Sequence, residues 1–156
     1  MTQMTMRSGP WLVVLGAVVV ILSHGSVRAQ AIQSQETNIG GIVAEIVECK
    51  RQEGVLTVRM RLRNTSDKEI RIDVISGRNF DAYYVTAGSK KYLVLRDSEK
   101  TPLAPQVDAF GKVSADIAKG GTYLWWARYP APPADVKKVS YFTPLTPPFD
   151  NIPIAD

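Results

Sequence analysis

Residues 55–63 read V-L-T-V-R-M-R-L-R, so Leu56, Val58, Met60 and Leu62 alternate with Thr57, Arg59, Arg61 and Arg63. A period of two sends successive side chains to opposite faces of a strand, which predicts an antiparallel sheet buried on one side and wetted on the other. Residues 42–51, rich in isoleucine and valine and polar at their end, read as the preceding strand, with 52–54 as the tight turn between them. Asn64, Thr65, Ser66 and Asp67 then form a turn by composition, because short polar side chains bond to nearby backbone. Residues 69–75 alternate again, with Ile70, Ile72 and Val74 inward, and are expected to pair back onto 55–63 as a hairpin.

The rest of the chain continues in short pieces. Residues 80–86 and 91–96 are two more strands joined by Ala87, Gly88, Ser89 and Lys90, and 97–108, broken by Pro102 and Pro105, is a long irregular loop. A weaker strand over 111–118 leads through Gly120 and Gly121 into 122–129, where Tyr123, Trp125 and Ala127 alternate with Leu124, Trp126 and Arg128. One of the two tryptophans therefore faces the core and the other faces out. Pro130, Pro132 and Pro133 end that strand, 137–143 is the last, and 144–153 runs out as a proline-rich tail. About eight short strands without an amphipathic helix predict an all-β fold, an immunoglobulin-like antiparallel β-sandwich with Greek-key wiring over 41–156. Residues 30–40 are polar and aperiodic, a flexible linker by this reading.

One stretch has no alternation at all. Arg7 precedes an apolar run from Trp11 to Leu22, which falls short of the roughly 20 residues a spanning helix needs, and small or polar residues follow from Ser23 to Ala29. This predicts a signal peptide over 1–29, cut after Ala29 or Ala31, and an extracytoplasmic protein, periplasmic or secreted. The alternative is an uncleaved anchor, the one case in which the membrane is a partner.

Composition sharpens the function classes. The single histidine, His24, belongs to the segment expected to be removed, leaving no imidazole and one thiol, Cys49. That disfavours most nucleophilic, acid–base and zinc chemistry near neutral pH. Cys49 lies in an apolar strand and is expected to be buried as a small hydrophobe rather than paired between chains. Cleavage also removes Arg7 and Arg28 and no acid, so the formal charge of +4 falls by two and nucleic acid is not an expected partner.

Asp73, Asp81, Asp97, Glu99, Asp108 and Asp116 lack calcium-loop spacing, so neither metal nor cofactor is expected, and no catalytic residue stands out. A carboxylate-dependent hydrolase is the enzymatic alternative. The row Arg59, Arg61 and Arg63 either grips an anionic polymer or is a solvated face that resists edge pairing. Phe80, Tyr83, Tyr84, Trp125 and Trp126 either converge on a glycan or peptide platform or fill the core. The candidate binding set is Arg59, Arg61, Arg63, Tyr84, Trp125 and Trp126, with an envelope protein or an anionic glycan as the expected partner.

Several motifs resemble a known class. They are the 55–63 strand running into Asn64-Thr65-Ser66-Asp67, the stretch G-S-K-K-Y-L-V-L over 88–95, Lys119-Gly120-Gly121 before an aromatic strand, and W-A-R-Y-P-A-P-P-A-D-V over 126–136. Together they resemble extracytoplasmic immunoglobulin-like domains of bacterial envelope and secreted proteins, including telokin-like families of unknown function. The resemblance implies a non-catalytic binding or accessory module of the cell envelope. A further alternative is an assembly protein that works by β-strand addition, with the 144–156 tail as donor or clasp.

Overall fold

In the computed structural model, which describes residues 30–156, the alternating segment becomes β3 (Val55–Asn64), with Leu56, Val58, Met60 and Leu62 all turned into the core. The predicted signal segment 1–29 lies outside the described residues. β2 (Ile42–Gln52) runs antiparallel along one edge of β3 and β8 (Thr122–Pro130) along the other. β1 (Gln33–Glu36) borders β2, completing a sheet in the order β1-β2-β3-β8. The β2–β3 turn places Glu53 and Gly54 at φ of 51° and 78°. That left-handed pair has the twist a two-residue hairpin requires, and Gly54 adopts it without a Cβ penalty.

A second sheet has the order β10 (Phe149–Pro153), β9 (Lys138–Phe142), β5 (Tyr84–Ala87), β6 (Lys90–Tyr92), and β4 (Ile70–Ile75) forms a separate ribbon with β7 (Val113–Ile117). The fold is all-β with antiparallel sheets, consistent with a β-sandwich. Trp125, fully buried on β8, ties the layers together. Its ring lies 4.6 Å from Tyr83 and 6.5 Å from Phe80 between centroids, and its Nε1–H donates to the Tyr141 hydroxyl of β9 at 2.9 Å. Tyr83 in turn donates its hydroxyl to the Val74 carbonyl of β4.

The expected hairpin between 55–63 and 69–75 does not form, since β4 pairs with β7. A strand has two edges, and β2 and β8 already occupy both edges of β3. Asn64, 1% exposed, makes the corner that lifts the chain away. Its amide donates to the carbonyls of Lys68 (2.7 Å) and Ile117 (2.8 Å), and its oxygen accepts from the Ser66 N–H and hydroxyl. The 80–86 segment divides into a 3-10 turn, Phe80–Ala82, followed by β5, and the 91–96 strand shortens to β6.

Both ends of the domain hold strands where a linker and a run-out tail were expected. β1 is polar on both faces and pairs through its backbone, so its residues carry no hydrophobic period. In β10 a register shift between Phe149 and Ile152 spaces the two buried residues three apart, which hides the period of two. Beyond it, Ala155 donates to the Cys49 carbonyl and accepts from the Arg51 N–H, so the tail covers the half of β2's edge that β1 leaves open. The Arg51 side chain locks this closure, donating to the carbonyls of Pro132, Pro133, Ala134 and Val136 and pairing with Asp156 at 2.6 Å.

Cys49 is buried at 2% exposure, as expected from its strand. Burial pushes its thiol up to about 12, so it stays protonated and is not a nucleophile. An alkylating reagent is therefore expected to leave the native protein unmodified by mass at pH 8 and to label it stoichiometrically in denaturant.

Candidate functional site

The arginine row lies on the outer face of the β1-β2-β3-β8 sheet, but its members are not equivalent. Glu45 of β2 stands opposite Arg61 in the register and is buried between two guanidiniums. Its carboxylate takes Arg61 Nε at 2.6 Å and Arg63 Nη2 at 2.9 Å. These two arginines thus hold an acid of the same sheet. Arg59 is more loosely engaged, its Nε 3.5 Å from Glu48, and on its other side it stands directly opposite Trp126.

Burial acts to raise the Glu45 pKa, and hydrogen bonds and charge from Arg61 and Arg63 outweigh it, leaving the carboxyl below its ordinary 4.5. A folded-state pKa below the unfolded one means that the unfolded chain binds the extra proton on acidification. The stabilisation is then complete above 4.5 and drains away as pH falls through the lower folded value. Thermal melts from about pH 6 to about pH 3 are expected to show a shallower acid limb for Glu45→Gln than for the wild type.

Around Arg59 the same face forms a shallow concavity of about 550 Å³ lined by Glu48, Lys50, Gln52, Thr57, Leu124, Trp126 and Arg128. Two adjacent cross-strand rows build it, Lys50–Thr57–Arg128 and Glu48–Arg59–Trp126. The β2 bulge is decisive. Ile42, Ala44 and Ile46 point inward, and an unbroken period of two would send Glu48 and Lys50 inward as well. The register shift between Ile46 and Glu48 reverses the parity, so Cys49 enters the core and Glu48 and Lys50 join the outer face. Among the described residues, neither Lys50 nor Arg128 has an acidic side-chain partner, and the Thr57 hydroxyl makes no hydrogen bond.

Of the sequence candidates, Arg59 and Trp126 come together here, with Arg61 and Arg63 alongside. Trp125 belongs to the core, where its neighbours leave no surface for a ligand. Tyr84 lies on the other sheet, stacked on Phe142 at 4.6 Å with the Lys91 ammonium 3.7 Å from its ring centroid. Arg71 and Asp73 lie away from this face, pairing with Asp116 and Lys112 on the β4–β7 ribbon. Lys50, Thr57, Leu124 and Arg128 are the members that sequence reasoning missed. The alternation of 122–129 already put Leu124 and Arg128 on one face with Trp126, without saying which face is outward, whereas nothing in the sequence marked the bulge.

A second concavity, about 470 Å³, lies under the 97–108 loop beside Arg78, Arg96 and Lys100. Its Arg96 is 3.7 Å from Asp81 and donates to the Lys100 carbonyl, so part of its positive charge is engaged internally. The sheet face offers the stronger combination of unpaired cations and an aromatic ring on rigid strands. The chain matches no family model, no curated protein and no solved structure.

Proposed function

We propose that this protein is an exported, non-catalytic binding module of a bacterial envelope, an immunoglobulin-like sandwich that takes an anionic glycan on the outer face of β2, β3 and β8. The observation that carries this reading is the cross-strand row in which Lys50 and Arg128 flank the Thr57 hydroxyl, neither of them in an ion pair with an acid among the described residues. Their Cα atoms stand two strand spacings apart, about 10 Å, which long side chains close around one carboxylate, phosphate or sulfate group. Trp126 in the next row offers its indole to the apolar face of the adjoining sugar. Glu48 restrains Arg59 beside it, keeping that charge in place.

Three acids held by cations are poorly suited to hydrolysis. Glycoside cleavage needs a carboxylic acid held protonated near neutral pH. Glu45, Asp73 and Asp156 are all shifted downward, each beside a cation that favours the ionised form.

A panel of uronic-acid, phosphorylated and sulfated glycans, with neutral counterparts, tests the reading. At least one anionic member is expected to bind, more weakly as salt is raised, and the Lys50→Ala/Arg128→Ala double variant is expected to lose about tenfold or more in affinity. Tyr84→Ala, on the opposite sheet, is expected to bind normally. Binding to no anionic member, or binding indifferent to the double variant, would refute it.

A further inference from the structure

The two four-stranded sheets end in four edge strands, and three of them carry features that discourage strand addition. β1 is four residues long and wholly polar, β6 is three residues long with Lys90 and Lys91, and β10 has a register shift, Asn151 at φ 58° and Pro153. β8 is different. From Thr122 to Trp126 it reads T-Y-L-W-W, with neither charge nor proline.

The hydrogen-bonding parity of β8 shows what this edge presents. The Arg128 N–H donates to the Leu103 carbonyl and its carbonyl accepts from the Leu95 N–H, so both of its backbone groups point away from β3. Alternate residues of a strand point the same way, so the N–H and C=O groups of Trp126, Leu124 and Thr122 also face outward. The strap at Leu95 and Leu103 satisfies Arg128 alone, and among the described residues no strand pairs with the stretch before it. On the outer face above that stretch, Leu124 is 47% exposed and Trp126 is partly exposed.

We infer that this edge is a homodimer interface, in which β8 pairs antiparallel with β8 of a second copy across a two-fold axis at Leu124. The edge is self-complementary about that residue. Leu124 meets its own copy and Trp126 meets Thr122 of the partner, so all three outward-pointing residues of each chain are paired, through about six N–H···O bonds. On the outer face the two Leu124 side chains become direct neighbours across the axis and cover one another's apolar surface, while Trp126 stands opposite only the partner's small Thr122. The register sets the partner's Gly120 opposite Arg128, so the paired stretch ends at the Gly120-Gly121 pair, where the strap begins. Arg61 and its symmetry mate lie three strand spacings apart, about 14 Å, beyond the screening length of about 8 Å.

Sedimentation velocity over a concentration series, on protein expressed from the full chain with its processed mass recorded, tests the inference together with amide hydrogen exchange. The wild type is expected to sediment at twice the monomer mass at high concentration, with the Leu124 and Trp126 amides becoming protected as the dimer fills. Leu124→Lys sets two ammonium groups opposite each other and is expected to weaken association about tenfold or more while leaving the melting temperature of the monomer unchanged. Thr122→Pro removes only an N–H that the monomer leaves unpaired, and is expected to weaken the dimer too. A monomer at every concentration, a dimer in which those two amides still exchange freely, or protection seen only when a different protein is added would each overturn the inference.

Discussion

Trp125→Ala is expected to unfold the domain or leave it marginal, while Trp126→Ala, one residue along, is expected to change stability by less than about 1 kcal/mol. Trp125 is fully buried, contacts Phe80 and Tyr83, and gives its indole N–H to Tyr141. Truncating a buried tryptophan costs about 3–5 kcal/mol, and a hydroxyl deprived of its donor in the interior adds to that. Against a total stability of about 5–15 kcal/mol, this loss is a large fraction. Trp126 faces outward in the Arg59 row, so its removal takes away ligand surface and little packing. Chemical denaturation of the two variants side by side provides the check. Similar losses from both would mean that the parity of β8 is wrong, and with it the placement of the binding face.

Ending the chain after Pro148 is expected to have a comparable effect. It removes Phe149, Ile152 and Ile154 from the core, each contributing about 1.5–3 kcal/mol by burial. It also strips the backbone partners from one edge of β9 and from β2 at Cys49 and Arg51. The truncated protein is expected to be insoluble or to lack a cooperative melt, whereas Asp156→Ala, which removes only an exposed carboxylate paired with Arg51 and Lys137, is expected to fold. A tail whose role is donation to another protein makes the opposite prediction, a stable domain without it. Circular dichroism melts of the two variants separate these outcomes.

The sequence was most informative where one face is buried and the other wet. In β3 the period of two located the strand and assigned each side chain to a face, and in β8 it located the strand and divided 122–129 into two sets, of which burial of Trp125 makes Leu124, Trp126 and Arg128 the outward one. Legibility failed for three physical reasons. β1 joins its sheet through backbone bonds to β2, and backbone pairing leaves no mark on side-chain choice. In β2 and β10 register shifts break the parity, so an unbroken period of two would turn Lys50 inward, and the Phe149–Ile152 spacing fits no period of two. Pairing between strands distant in sequence is a property of the whole sheet, so the local hairpin signal at Asn64 was overridden once β8 occupied β3's free edge. The candidate site combines these cases. Arg59 and Trp126 were readable from alternation, and their alignment with Lys50, Thr57 and Arg128 depends on a bulge and a long-range register.

The most direct test of the binding face is amide chemical-shift mapping during titration with the anionic glycan that binds most tightly in the panel. The account predicts that the largest perturbations fall on Lys50, Thr57, Arg59, Trp126 and Arg128, in the two adjacent cross-strand rows of the β2-β3-β8 face. Perturbations centred instead on Tyr84, Lys91 and Phe142 of the opposite sheet, or on the 97–108 loop, would contradict it.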